Sequence, residues 1–271
     1  MTATALNRAY APRQRSALAW AMADTRAITW RNLVTLRRMP QLLVFSTIQP
    51  VIFVLLFRYV FGGAIHIPGV DYVNYLMPGI FAQTVTFGAI QTGIGLAEDL
   101  NKGLIERFRS LPMARSAVLA GRTLADLVRN VFVVSLMIVV GYMVGFRVQT
   151  GVLGLLAGVA VILLFGFSLT WIFAIIGLSA PNAETAQAMS FPILAPLVFA
   201  SSAFVAVDTM PGWLQPFATY QPVSIAVDAV RSLMLGGQFH DTSKVIASLA
   251  WSIGIVAVFA PLAVRVYRRT A

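Results

Sequence analysis

From Val148 to Val207 the chain runs sixty residues with one charged side chain, Glu184. A single tilted helix cannot absorb such a stretch, because the hydrocarbon core of a bilayer takes up only about 20 helical residues. The segment Ser179–Glu184 (SAPNAE) breaks it with a Pro-Asn turn, so it reads as a helical hairpin. The same bias holds along the whole chain, which is 58% hydrophobic and 11% charged over 271 residues. A soluble domain carries about a quarter charged residues. With so few charges its surface would be largely apolar, so lipid is the solvent that fits.

Six runs are long enough to span: 41–61, 74–97, 125–146, 152–178, 186–207 and 244–264. The fold class expected is an all-α integral membrane protein, with residues 1–40 as an N-terminal segment and 41–271 as a six-span domain. Five spans, with one run re-entrant, is the alternative. Lys and Arg decide between them. Arg8, Arg13, Arg15, Arg26, Arg31, Arg37 and Arg38 precede the first run. Lys102, Arg107, Arg109, Arg115, Arg122 and Arg129 follow the second, and Arg265, Arg268 and Arg269 follow the sixth. Against these sixteen, the opposite side holds four: Arg58, Arg147, Arg231 and Lys244. The positive-inside rule then puts both termini in the cytoplasm of a multi-pass protein of the cell membrane. An odd number of spans would leave the basic tail outside. No cleavable signal is expected, and the first span would serve as its own insertion signal.

The net charge of +10 therefore marks topology, not nucleic-acid binding. There is no cysteine, and His66 and His240 fall in connecting segments, where they read as solvated side chains. No metal site and no catalytic constellation is expected. A G-x-x-x-x-G-K-[ST] phosphate loop is absent from the sequence, so the chain is not expected to hydrolyse ATP. The middles of the six runs read as free of charge, which disfavours a proton- or sodium-coupled carrier. Any energy source then lies outside this chain.

Four segments carry the remaining information. Residues 16–39 contain no Pro or Gly and intersperse Trp20, Met22, Ile28, Trp30, Leu33 and Leu36 among arginines. This suits a helix in the headgroup layer, or a plain basic anchor. Glu98–Pro112 (EDLNKGLIERFRSLP) places Leu100, Leu104, Phe108 and Leu111 on one helical face, with Glu98–Lys102, Lys102–Glu106 and Glu106–Arg109 spaced for ion pairs. It reads as an amphipathic helix that is either packed at the interface or docked on a cytoplasmic partner. In the second run Thr84, Gly88, Gln91, Thr92 and Gly95 share a face, with Gln83 and Thr86 beside it. That stripe is a helix–helix contact or a wet translocation surface formed by Gln83, Thr84, Gln91 and Thr92. At the foot of the third run, Arg122, Asp126 and Arg129 let Asp126 sit between two arginines. Gly141-x-x-x-Gly145 and Gly154-x-x-x-Gly158 read as packing motifs. The outer segment 207–238 holds a short amphipathic helix from Pro222 to Leu235. Ser224, Asp228, Arg231 and Ser232 form one face of it and Val223, Val227, Val230 and Met234 another, so the helix is expected to dip into the outer leaflet or cap the bundle, outward-facing and with Asp228 and Arg231 spaced to pair.

Leu76–Arg129 (LMPGIFAQTVTFGAIQTGIGLAEDLNKGLIERFRSLPMARSAVLAGRTLADLVR), together with SSAFVAVDTMPGWLQPFA and QPVSIAVDAVRSLMLGG, resembles the permeases of type-2 ABC exporters, and most closely the daunorubicin-resistance branch. The one departure is Ala206 in FVAVDTMP, where that pattern has proline. The resemblance implies that 98–112 is a coupling helix gripping a separate ABC ATPase, through Glu98, Asp99, Leu100, Lys102, Gly103, Leu104, Glu106, Arg107, Phe108, Arg109, Leu111 and Pro112. It implies an N-terminal interfacial helix beside that dock and short re-entrant helices on the outer side. It also implies two permeases, a second copy or a paralogue, working with two ATPase subunits. ATP and Mg would belong to the partner, with no cofactor on this chain. The substrate expected is a hydrophobic drug or lipid-like metabolite moved outward. A lipid-linked polysaccharide exporter and a non-transporting membrane scaffold or enzyme are the alternatives.

Overall fold

The computed structural model describes residues 17–38, 40–104 and 115–270, which are mostly helical, with no strand among them. The helices are α1 (Ala17–Arg38), α2 (Pro40–Leu55), α3 (Tyr72–Asn101), α4 (Arg115–Met143), α5 (Gly151–Ser179), α6 (Ala183–Phe199), α7 (Gln215–Tyr220), α8 (Pro222–Met234) and α9 (Thr242–Thr270). Among the described residues, four helices are long and apolar enough to cross a membrane: Tyr72–Asn101, Ser116–Met143, Gly151–Ser179 and Thr242–Arg269. The first apolar run forms a shorter helix whose end widens into π-helical geometry over Leu56–Phe61.

Helix α3 is the central pillar. Every residue from Tyr72 to Thr86 is buried, because α2, α4, α5, α6 and α8 pack around it. A helix apolar or small on all sides has no face to give to water. The outer surfaces of α4, α5 and α9 expose large apolar side chains, among them Met143, Leu153 and Ile253, as a lipid-facing belt requires. Helix α1 packs along α4, burying Ile28 and exposing Trp20, Met22 and Trp30.

The structure departs from the sequence expectations in several places. The fifth run, 186–207, is helical only to Phe199. Pro192 and Pro196 interrupt its backbone ladder. Beyond them the Ser201 hydroxyl donates to the Val198 carbonyl at 2.5 Å, and the Ser202 N–H is diverted to the Ser224 hydroxyl at 3.0 Å. Serines that bond locally compete with helix continuation, and 200–206 becomes a buried irregular turn.

The helix expected over 98–112 is not continuous either. Its first residues are the end of α3, which closes with the Lys102 N–H on the Glu98 carbonyl and the Gly103 N–H on the Leu100 carbonyl, both at 3.0 Å. Gly103 takes φ of +65°, the left-handed conformation that ends helices. Leu100 and Leu104 therefore do not share one helix face. Glu106, Arg107, Phe108, Arg109, Leu111 and Pro112 lie outside the described residues.

Helix α8 forms where the Pro222–Leu235 pattern places it and packs against the bundle, as a cap would, but its polar side is turned inward rather than outward. Val223, Val227, Val230 and Met234 are buried, and so are Ser224, Arg231 and Ser232 on the polar side, because α3, α5 and α9 surround it. Of the two glycine pairs, Gly154 and Gly158 do lie against α8, close to the Leu233 carbonyl and the Met234 side chain. Gly145 instead turns the chain after α4 at φ of +104°.

Candidate functional site

The polar stripe of α3 meets α4 and α1 in an alternating chain of charges. Arg31 of α1 lies 3.4 Å from Asp99, which lies 3.6 Å from Arg122. Arg122 is 3.5 Å from Asp126, and Asp126 is 3.0 Å from Arg129. The Thr92 hydroxyl donates to Asp126 at 2.6 Å, and Arg129 donates to the Gly88 carbonyl at 2.7 Å. Asp126 and Arg129 are buried. In such surroundings an unpaired charge is very costly, and the pairing sustains both. Arg129 is also the central residue of the 29-residue α4, so charge sits at the middle of this helix rather than at its foot.

The glycines of the stripe make this approach possible. A Cβ on Gly95 would collide with the Arg122 guanidinium, and one on Gly88 would lie 2.6 Å from Asn130 Oδ1. The stripe thus accommodates polar side chains of α4 against the α3 backbone, which a plain small-residue packing face would not explain.

Beside the ion chain is a cavity of about 300 Å³ between α1, α2, α3 and α4. Its floor is formed by Gln83, Thr84, Asp126, Arg129 and Asn130, all buried, and its rim by Thr35, Gln49, Gln91 and Glu98, all exposed. Leu33, Leu36, Phe87 and Val133 supply apolar wall. Gln83 is 2% exposed, and neither its Nε2 nor its Oε1 has a hydrogen-bond partner; Asn130 Nδ2 and Asn32 Nδ2 are also unpartnered.

A second polar centre lies at the other end of α3. Arg231 stacks 3.5 Å over the Tyr75 ring. It donates to the carbonyls of Tyr75 (3.0 and 3.1 Å), Ser202 (2.6 Å) and Ala203 (3.3 Å), and to Asp228 at 3.0 Å. Tyr72 and Tyr75 add hydroxyl bonds to the Phe204 and Ser202 carbonyls at 3.0 and 3.2 Å. Phe57 stacks on Phe204 at 4.6 Å. The irregular turn after α6 thus has its backbone satisfied by side chains, the condition under which non-helical backbone survives inside a membrane protein.

Of the residues singled out from sequence, the structure brings Gln83, Thr84 and Gln91 to one cavity and places Thr92 behind it on Asp126. Asp228 and Arg231 meet, with Arg231 buried and Asp228 half-buried. Glu98 pairs with Lys102 at 3.1 Å, Asp99 joins the ion chain, and Leu100 packs against the apolar cluster around Leu96 and Leu178. Sequence reasoning missed Asn32, Asn130, Tyr72 and Tyr75. The signal for Asn130 was present, since it lies four residues after Asp126 on the same face. Among the described residues no group of three or more His, Asp or Glu is placed to hold a metal ion.

These features define a polytopic helical membrane protein with a polar interior site on its central helix. Residues 23–235 match the ABC-2 type transporter family, and the chain belongs to that family. It is 39% identical to the daunorubicin resistance ABC transporter permease protein DrrB1 of Streptomyces coeruleorubidus, over 94% of this chain and 89% of that protein. It is 28% identical to the probable doxorubicin resistance ABC transporter permease protein DrrC of Mycobacterium tuberculosis, over 83% and 81%. It is also 25% identical to the putative transport permease ycf38 of Pyropia yezoensis, over 84% and 79%. Members of the family are the transport component rather than the ATPase, and normally work with an ATPase subunit.

Proposed function

We propose that this chain is the membrane-spanning subunit of an ATP-driven exporter that moves a hydrophobic drug or lipid-like metabolite outward. The observation that carries the reading is the match to a daunorubicin-resistance permease over 94% of the chain, whose name favours a drug over a lipid-linked polysaccharide. In this reading the protein crosses the cell membrane six times, with α2 and α6 as the two shorter spans and both termini in the cytoplasm. Two permeases, identical or paralogous, pair with two ATPase subunits that hold ATP and Mg, and this chain binds no cofactor. Glu98–Pro112 docks the ATPase. Asp99 supports that role: it sits one turn before the Gly103 break and is bonded to both α1 and α4, so movement at the dock is relayed to two helices at once.

Co-expression with the cognate ATPase should lower daunorubicin accumulation in cells, and either subunit alone should not. Equal accumulation in all three strains would refute the export reading. Because the chain has no cysteine, single introduced cysteines report topology without background. Thr2→Cys and Thr270→Cys should be shielded from an impermeant reagent in intact cells, and Gln238→Cys should react. Labelling of both termini from outside would overturn this orientation.

A further inference from the structure

We propose that the cavity between α1, α2, α3 and α4 binds the uncharged, carbonyl- and hydroxyl-bearing part of an amphipathic molecule, with Gln83 and Asn130 as the recognising groups. The proposal rests on the exporter reading and names the chemistry of its cargo.

The argument is one of accounting for polar groups. The carboxylates around the cavity are all taken: Asp99 and Asp126 are each held between two arginines, and Glu98 is taken by Lys102. The hydroxyls are spent as well, Thr84 on the Ile80 carbonyl at 2.7 Å and Thr92 on Asp126. What remains idle is neutral. Besides the Asn32 N–H on the α1 side, Gln83 offers an N–H donor and a carbonyl acceptor, and Asn130 offers an N–H donor. Both side chains are 2% exposed and line the same cavity.

Buried amides left without partners are expensive, and native proteins keep few of them. A complementary ligand brings acceptors for the two amide N–H groups and a donor for the Gln83 carbonyl, which is the pattern of a hydroxylated carbonyl compound. A cationic head would find no free carboxylate, since both aspartates are already held between arginines. Leu33, Leu36, Phe87 and Val133 receive the apolar part. The volume, about 300 Å³, is at the small end of ligand cavities, which run from roughly 300 to 1,000 Å³. The site therefore holds one polar edge of a flat or small molecule rather than a long lipid.

The test uses the full chain with its ATPase in nanodiscs and two probes: 2,6-dihydroxyanthraquinone, kept uncharged below its phenol ionisation and with hydroxyls too far from its carbonyls to bond them internally, and anthracene, which has neither group. The dihydroxyanthraquinone should bind, and anthracene should bind at least about tenfold more weakly. Gln83→Met should weaken dihydroxyanthraquinone about tenfold and leave anthracene unchanged, while the thermal midpoint holds or rises, because a volume-conserving apolar residue removes an unsatisfied polar group. Asn130→Leu gives the same readout should Gln83→Met fail to fold. Unchanged dihydroxyanthraquinone affinity in both variants would overturn the proposal. So would a lowered midpoint with unchanged binding, which would show the amides held by structural water. ATP-driven export measured in the same preparation separates the two readings. Wild-type export with no Gln83 or Asn130 dependence removes this site and leaves the permease standing. Amide-dependent binding without ATP-driven transport of any tested compound removes the permease reading and leaves the site.

Discussion

Replacing Arg231 by methionine keeps the length and apolar stem of the side chain and deletes its charge and its donors. The Ser202 carbonyl retains the Tyr75 hydroxyl at 3.2 Å, and Asp228 retains the Ser202 hydroxyl at 2.8 Å and Lys244 at 4.0 Å. The Ala203 carbonyl loses its Arg231 bond, and Asp228 loses its closest charge partner. An orphaned buried carbonyl costs about 1–3 kcal/mol. Breaking a buried ion pair costs about 3–5 kcal/mol, less here because Asp228 keeps 28% of its side chain exposed. Loss of the stacked cation from Tyr75 adds about 1 kcal/mol. The sum should fall at about 3–5 kcal/mol, or about two to four orders of magnitude in the unfolding equilibrium. Equilibrium unfolding in detergent micelles measures it. Labelling of a cysteine placed at Ala206 should also accelerate as the turn 200–206 loosens. Arg231→Lys should fall in between, since a single ammonium cannot span the acceptors that the guanidinium fork reaches. A methionine variant within about 0.5 kcal/mol of wild type, the range of ordinary surface substitutions, would refute the claim that Arg231 holds this turn.

Asp126→Asn should destabilise by about 3–5 kcal/mol by leaving Arg129 buried without a carboxylate, and adding Arg129→Met should restore part of that loss. Chemical denaturation of the single and double variants is the check. Asp241 accepts from the Ser243 hydroxyl at 2.6 Å and from the Ser243 and Lys244 N–H groups at 2.9 and 3.4 Å, as an N-cap of α9 does. The Ser243 hydroxyl, with these N–H groups, holds its carboxyl below the usual 3.8. A depressed carboxyl contributes stability that is present above the ordinary value and lost as pH falls through the folded one. Protection factors at 242–246, exchange corrected for its intrinsic pH dependence, should therefore fall only below about pH 4, and Asp241→Asn should abolish that dependence.

The apolar runs were legible because a helix in lipid must be apolar over its length: 41–61, 74–97 and 152–178 lie within about four residues of a helical stretch at both ends, while the helices of the third and sixth runs extend well beyond them. The end of α6 was not legible, because Ser201 and Ser202 break the ladder only when Ser224 lies across from them. Gly103 was visible as a glycine, yet the 100/104/108/111 periodicity favoured a continuous helix, and backbone chemistry at Lys102–Gly103 overrode it. The Gln83 and Thr92 stripe could be read from spacing. Its partners could not, since Asp126 lies 34 residues from Thr92 in sequence and Arg129 lies 41 from Gly88, and the Arg231–Tyr75 centre at the other end of α3 spans 156. The Arg122–Asp126–Arg129 triplet was readable at i, i+4, i+7, while its depth followed only once α4 was seen to begin ten residues before the apolar run.

The central claim is that an ATPase drives transport through this chain by way of the end of α3. The most direct measurement is the daunorubicin moved per ATP hydrolysed in proteoliposomes holding the chain and its ATPase, compared between wild type and Asp99→Asn. Wild type should transport only with ATP and both subunits. Asp99→Asn should keep hydrolysing ATP while the transport ratio falls several-fold, because the dock is no longer tied to α1 and α4. Transport that proceeds equally without ATP, or an unchanged ratio in the variant, would contradict the account.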